Sequence, residues 1–212
     1  MKIPQGRIFC DKYDIFILMN QIKILIEGYA REWGDSGYEA SSAATLILAD
    51  KVKILCDPGI NWELLKTGLD KEKLKPVDID WIFLTHTHID HCYNMARFPQ
   101  AKLFDGKCIY EKDKDYVHGG EIFGLDVEIV KTPGHTLDHT SLLVPARNGV
   151  YAVAGDVFWW IEDEEQKTDK RSLLEKKDPI DGVDPYSLTD SRKLLLKKAQ
   201  YIIPGHGKVF KV

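Results

Sequence analysis

The sequence predicts a mixed α/β fold, and three observations carry that prediction. Short β-rich apolar runs recur along the chain, several of them in hairpin pairs. Apolar segments of helical spacing stand between them, at residues 62–69 and 187–200. Polar side chains with useful chemistry stand just past five of the expected strand ends: Asp57, the 86–91 cluster, His135, Asp156 and His206. One such residue after a strand is ordinarily a cap or turn former. Their recurrence predicts strands that end along a common edge, with reactive groups gathered beyond it.

Taken in order, residues 14–19 and 22–27 are β-rich runs around an Asn20-Gln21 turn, which predicts a first hairpin. Residues 28–44 are polar, contain glycine and carry Tyr29, Trp33 and Tyr38, so they read as a long loop, either packed on the surface or forming one wall of a cleft. Residues 45–49 and 52–56 flank Asp50-Lys51 as a second hairpin that ends in Asp57-Pro58-Gly59. A short helix follows over 62–69, with Asn61 as its N-cap. Strand 81–84 runs into the histidine cluster, and a helix is expected around 93–98. Strands are expected at 101–104 and 125–130, joined by a charged connection over 107–121 in which His118-Gly119-Gly120 reads as a solvated turn. The pattern then repeats: 128–131 leads into Thr132-Pro133-Gly134-His135, and 201–203 into Pro204-Gly205-His206. Proline removes a ladder donor and glycine permits a tight turn, so each repeat is expected to end its strand and swing a histidine over the sheet edge. Between them, strand 150–154 ends in Gly155-Asp156. The helix 187–200 would lay Leu188, Leu194, Leu195 and Leu196 on the last sheet.

Composition sets the outer limits. With 212 residues and 44% hydrophobic content the chain can bury a substantial core, and one domain over 1–212 is expected. A net charge of -4 offers no general attraction for nucleic acid or anionic membranes. Cys10, Cys56, Cys92 and Cys108 are widely spaced with no CxxC pair, which argues against a disulfide scaffold and for a reducing compartment. The first residues lack the basic-then-apolar order of a signal peptide, and no apolar run is long enough to span a bilayer. A cytoplasmic protein with no membrane partner is the expectation.

The chemistry centres on Thr85-His86-Thr87-His88-Ile89-Asp90-His91. Three of the seven histidines fall within six positions, which chance clustering in a solvated loop accounts for poorly. Imidazole nitrogen and carboxylate oxygen are the donors that zinc and similar ions take at neutral pH, enough here for one or two ions.

The HxHxDH pattern of His86 to His91, the later His135, Asp156 and His206, and the earlier Asp57 stand in an order that resembles the metallo-β-lactamase superfamily over most of the chain. Thr132 to Thr136 with His139-Thr140-Ser141, then Ala154 to Phe158 and Ile203 to Gly207, are similar to the subgroup around metallo-β-lactamase-domain-containing protein 1. The resemblance implies a four-layer αβ/βα sandwich with metals at the edge between two mixed sheets. It implies that His86, His88 and His135 hold one divalent ion and that Asp90, His91 and His206 hold a second, with Asp156 bridging them. Zinc is the expected pair, iron or manganese the alternatives. Asp90, His206 and Asp57 are the catalytic residues it implies, Asp57 acting behind the ligands by fixing a histidine tautomer. Asp156 stands where several true β-lactamases carry a cysteine, so an antibiotic-resistance enzyme is not favoured. The chain also reads as a minimal core, without glyoxalase II's C-terminal helices or an inserted nuclease domain.

The activity so implied is hydrolysis by a metal-bridging hydroxide, with a small ester, thioester, lactone or lactam favoured and RNA or another phosphodiester as the alternative. A mononuclear-iron persulfide dioxygenase is a second alternative, which a full set of seven ligand candidates disfavours. His139 reads as a structural histidine at the site's mouth, and Cys92 as a small hydrophobe turned away from the metals. Phe158-Trp159-Trp160 are expected in a cleft wall or a homo-oligomer contact, because three consecutive aromatics cannot share one buried face. Residues 162–177 alternate acids and bases, as in a solvated helix or flap.

Overall fold

A computed structural model describes residues 19–212 except 36, 121, 123, 124 and 181. Most of the expected first strand, 14–19, therefore lies outside the described residues. The chain enters at β1 (Gln21–Ile26), passes through a ribbon of β2 (Tyr29–Trp33) and β3 (Gly37–Ser41), and continues into β4 (Ala44–Ala49) and β5 (Val52–Cys56). Helix α1 (Trp62–Lys71) precedes β6 (Trp81–Phe83), and a four-residue helix α2 (Ile89–Cys92) runs into a 3-10 turn before β7 (Lys102–Phe104), β8 (Cys108–Glu111) and β9 (Lys114–Val117). These strands form a seven-stranded mixed sheet in the order β1-β4-β5-β6-β7-β8-β9. The second sheet joins β10 (Glu128–Lys131), β11 (Thr140–Ala146), β12 (Gly149–Trp159), β13 (Tyr201–His206) and β14 (Phe210–Lys211) in sequence order. Helices α3 (Lys170–Glu175) and α4 (Pro185–Lys198) lie between β12 and β13 in the chain.

Alternation along the strands explains the layering. Ile47, Ile54, Cys56 and Phe83 point from the first sheet into one cluster, where they meet Leu142, Val144, Val153 and Ile203 from the second. Their neighbours Leu46, Leu55 and Ile82 point the other way and pack with Leu65 and Leu69 of α1. On the far side, Leu143, Ala152 and Ile202 pack with Leu173 of α3 and Leu188 and Leu195 of α4. A strand buried on both faces needs such two-sided cover. The outcome is the expected four layers, helix, sheet, sheet and helices.

Four expectations change. Residues 28–44 form a β-ribbon rather than a loop, with Tyr29 opposite Ser41 and Arg31 opposite Glu39. Arg31 donates to Glu39 at 2.8 and 3.0 Å across the ribbon. Both faces carry polar or exposed aromatic side chains, Trp33 being 72% exposed, so the two-residue hydrophobic period is missing. The connection 107–121 contains the hairpin β8–β9, whose charged outer strand reads as a loop by composition yet blunts an open sheet edge. Strand β12 does not end at Asp156 but runs to Trp159, turning at Gly155, where φ is +51°. Likewise Pro204-Gly205-His206 continues β13, because Pro204 sits opposite Gly155 at a break in the parallel register where its missing N–H costs no ladder bond.

The other helices follow their sequence signals. Asn61 caps α1 by accepting from the Leu64 backbone N–H at 3.2 Å, and Leu65 and Leu69 are buried one turn apart. Around 93–98 the chain makes a 3-10 turn over Tyr93–Arg97. Strand β11 carries no clean alternation and was invisible to periodicity, since Thr140, Ser141 and Pro145 interrupt it.

Candidate metal centre

The site lies where strand ends of the two sheets meet. Asp57 stands just past β5, the loop after β6 delivers His86 and His88 and α2 delivers Asp90 and His91, the turn after β10 delivers His135, and β12 and β13 deliver Asp156 and His206. Backbone bonds tie the histidine segment to the turn after β3 and to the turn after β5, and the turn after β3 to β13: Ser42 N donates to the Asp90 carbonyl at 3.0 Å, Gly59 N to the His91 carbonyl at 2.9 Å and Ala43 N to the Gly205 carbonyl at 2.7 Å.

Two donor groups result. In the first, His88 Nδ1 lies 3.0 Å from His86 Nε2 and 3.1 Å from His135 Nε2, and Asp156 Oδ2 lies 3.2 Å from His135 Nε2. In the second, His206 Nε2 lies 3.2 Å from Asp90 Oδ2, and Asp156 Oδ1 lies 3.2 Å from His91 Nε2. Within each group the candidate ligand atoms lie within 4.8 Å of one another. Asp156 therefore turns one oxygen to each group.

The opposite ring nitrogens explain the orientation. His206 Nδ1 donates to the Tyr29 carbonyl at 2.9 Å and His135 Nδ1 to Asp178 at 2.8 Å. His91 Nδ1 donates to Asp57 Oδ2 at 2.9 Å. His86 Nδ1 donates to Thr85 Oγ1 at 3.0 Å, and that hydroxyl donates onward to Asp57 Oδ2 at 2.7 Å. Carbonyls and carboxylates only accept, so each Nδ1 carries the proton and each Nε2 lone pair faces the centre. Converging lone pairs repel one another without a cation. The buried His91 Nε2 and Asp156 Oδ1 have no hydrogen-bond partner among the described residues, which fits a donor set built for metal.

The electrostatics agree. Burial drives His86 well below the ordinary imidazole pKa. Burial would do the same to His91, but Asp156 and Asp57 on either side outweigh it and raise that pKa well above the usual value. Burial likewise works against an ionised Asp156, yet the surrounding imidazoles hold it well below the carboxylate range. The field of these carboxylates calls for positive charge at their midpoint.

Asp57 is buried and touches no group of the cavity; its partners are Thr85 and His91. It stands behind the donor groups and meets them only through Thr85 and His91. Because Thr85 N, Thr85 Oγ1 and His91 Nδ1 all donate to it, an amide cannot satisfy all three. Asn tolerates the positive φ of 45° as well as Asp does, so Asp57→Asn tests the carboxylate alone. We predict a loss of about 1–3 kcal/mol in urea unfolding, and an unchanged midpoint would show that the network is dispensable.

A cavity of about 390 Å³ opens over the site, with Tyr38, Ala40, Ile60, Ile89, Trp159 and Ile180 around His88, Asp90, His135, Asp156 and His206. Tyr38 and Ala40 come from the ribbon, so that segment does form a cleft wall. The aromatic triplet divides. Phe158 and Trp160 are core residues beneath α4, while Trp159 faces the opposite way, lines the cavity and packs 6.1 Å from the His206 ring. All three are buried, since an extended strand alternates faces and both are covered. His139 is buried behind His86, bonded to Thr132 Oγ1 at 2.9 Å, and burial lowers its pKa to about 3, so it is a neutral structural group away from the cavity. Cys92 packs in the α1 cluster, as expected. Cys56, Cys92 and Cys108 are free thiols. Nothing local marks Asp178 as part of the site: Asp-Pro after a charged stretch reads only as a turn.

Two sheets whose strand ends converge on bridged histidine clusters define a metallohydrolase class. The model described as metallo-beta-lactamase superfamily matches residues 37–119. Metallo-beta-lactamase domain-containing protein 1 of Xenopus laevis is 31% identical over 207 residues, covering 91% of this chain and 82% of that protein. The chain therefore belongs to the metallo-β-lactamase superfamily of metallohydrolases. Among solved structures, a candidate metallo-beta-lactamase from Thermotoga maritima shares the fold at a TM-score of 0.69 and 19% identity, covering 92% of this chain and all of that one (100%). AidC, a dizinc quorum-quenching lactonase, does so at a TM-score of 0.55 and 18% identity, covering 80% and 74%. No helix among the described residues is long and apolar enough to cross a membrane.

Proposed function

We propose that this chain is a binuclear hydrolase, with zinc as the expected ion, acting on an uncharged ester, thioester, lactone or lactam. The observation that carries the reading is a pair of donor groups sharing Asp156 at the base of an apolar cavity with no lysine or arginine among its described lining residues. A phosphodiester would bring a charge that such walls leave unmatched. The shared fold of a dizinc lactonase supports both the metal pair and acyl chemistry.

In this reading His86, His88 and His135 hold one ion, and Asp90, His91 and His206 the other. Two divalent ions held there supply an ionised water near neutral pH and a Lewis acid for the substrate's oxygen. The chain's own contribution is orientation. Each imidazole except His88 is locked from behind through Nδ1, so the donors need no rearrangement when substrate enters. Asp90 is the more open carboxylate, its side chain 26% exposed against 6% for Asp156, so of the two it is the one a substrate reaches from the cavity. Ile60, Ile89 and Ile180 exclude water around the acyl part.

Metal analysis and parallel assays with a neutral nitrophenyl ester, a thioester, a chromogenic cephalosporin and labelled RNA test this. Two zinc equivalents with turnover of a neutral acyl substrate are expected. Cleavage of RNA alone would overturn the substrate class, and one iron per chain with oxygen uptake would put a persulfide dioxygenase in its place.

A further inference from the structure

We propose that Asp178 is a positioning residue of this centre: its carboxylate sets His135 in the tautomer that turns Nε2 to Asp156, and anchors the cavity wall at Pro179 and Ile180 to the same point. The proposal rests on the metal-binding reading above.

Asp178 follows α3 in a stretch that otherwise behaves as a charged surface segment, yet its side chain has no exposed surface (0%). Its Oδ2 accepts from His135 Nδ1 at 2.8 Å and from the Trp159 indole N–H at 3.1 Å. Its Oδ1 accepts from the backbone N–H of Ile180 at 3.1 Å. A buried carboxylate is costly unless its oxygens are matched, and three donors match it here. Of these, indole and backbone N–H can only donate, so the group they surround is an acceptor and His135 must supply its proton from Nδ1. That leaves the His135 Nε2 lone pair facing Asp156 Oδ2 at 3.2 Å.

A buried arginine braces the delivery of this carboxylate. Arg192 of α4 is 2% exposed; its Nε donates to the Val157 carbonyl at 2.9 Å and its Nη1 to the Lys176 carbonyl. It thus ties the segment carrying Asp178 to the part of β12 between Asp156 and Trp159. Pro179 and Ile180, next in the chain, line the cavity. One carboxylate therefore joins a candidate metal ligand, an aromatic wall and an aliphatic wall.

Asp178→Asn separates positioning from bulk, because the amide has nearly the same volume but one acceptor oxygen. If that oxygen faces His135 and Trp159, the NH₂ meets the Ile180 N–H; if it is flipped, two donors meet two donors. Calorimetric titration of the metal-stripped chain with zinc should show the affinity at one of two sites weakened about 10–100-fold, with the other site retained. Ile180→Ala keeps the backbone donor and the carboxylate, and its zinc isotherm should match wild type. Unchanged zinc binding by Asp178→Asn, or equal weakening in both variants, would overturn the proposal. The wild-type chain gives a second measurement that does not depend on a variant folding. Long-range ¹H–¹⁵N correlation should find the His135 proton on Nδ1 alone, and a proton on Nε2 would overturn it. Should wild type bind no zinc, the metal reading fails, while the His135 tautomer still decides what Asp178 does.

Discussion

Asp156→Asn is expected to lose at least one of two bound ions and to lower kcat/KM on a neutral ester by about 10³-fold, with little change in folding. Asparagine has the same shape, so the buried site is not emptied. What changes is the sign of the contact. Asp156 now gives one oxygen to each donor group, 3.2 Å from His135 Nε2 and 3.2 Å from His91 Nε2. An amide places hydrogens against one of those lone pairs and forms a hydrogen bond where a metal would sit. A Lewis acid contributes several kcal/mol to the transition state, and about 4 kcal/mol corresponds to a factor of about 10³. Elemental analysis with steady-state kinetics makes the check; two retained ions and less than a tenfold loss would refute the bridging role.

Gly205→Ala should have a comparable effect on the site by a different route. A Cβ at this position would stand 1.8 Å from Asp156 Oδ1 and 3.0 Å from the Gly155 carbonyl carbon. Neither neighbour can yield cheaply: one is the buried Asp156 carboxylate held among imidazoles, the other the backbone at the turn of β12. Either Asp156 rotates away from His91 or β13 moves outward, taking His206 with it. Overpacking of this kind costs about 1–3 kcal/mol, at about 2–4 °C of Tm per kcal/mol for a chain this long. The expected result is a Tm several degrees lower together with loss of bound metal. Gly119→Ala serves as control, since an added Cβ there meets nothing within 4 Å among the described residues. A Gly205→Ala protein that keeps its metal and its Tm would show that β13 approaches Asp156 less closely than the geometry indicates.

The two substitutions also mark how far the sequence could be read. The residues of the donor set were legible because histidine and carboxylate are common metal donors, and five of the chain's seven histidines fall among them. The central strands were legible where apolar residues form short compact runs, as in β4, β5 and β6. The ribbon of β2 and β3 and the hairpin of β8 and β9 were not, because strands with polar or exposed faces carry no hydrophobic period. The ends of β12 and β13 were misplaced for a related reason: Gly155 and Pro204 look like strand stops alone, but they sit opposite each other across a register break.

By itself, then, the sequence determined the mixed α/β layering, the members of the donor set and the superfamily they resemble, since residue chemistry and apolar spacing are local properties. Only the tertiary structure decided that Asp156 divides its oxygens between two groups, that Trp159 parts from Phe158 and Trp160, and that Asp178 stands behind His135. The first and last are relations between segments far apart in the chain, with 43 positions between Asp178 and His135, and the second turned on β12 running on through Trp159. No local pattern encodes such a meeting, which arises when two sheets bury their shared core and bring their strand ends to one edge.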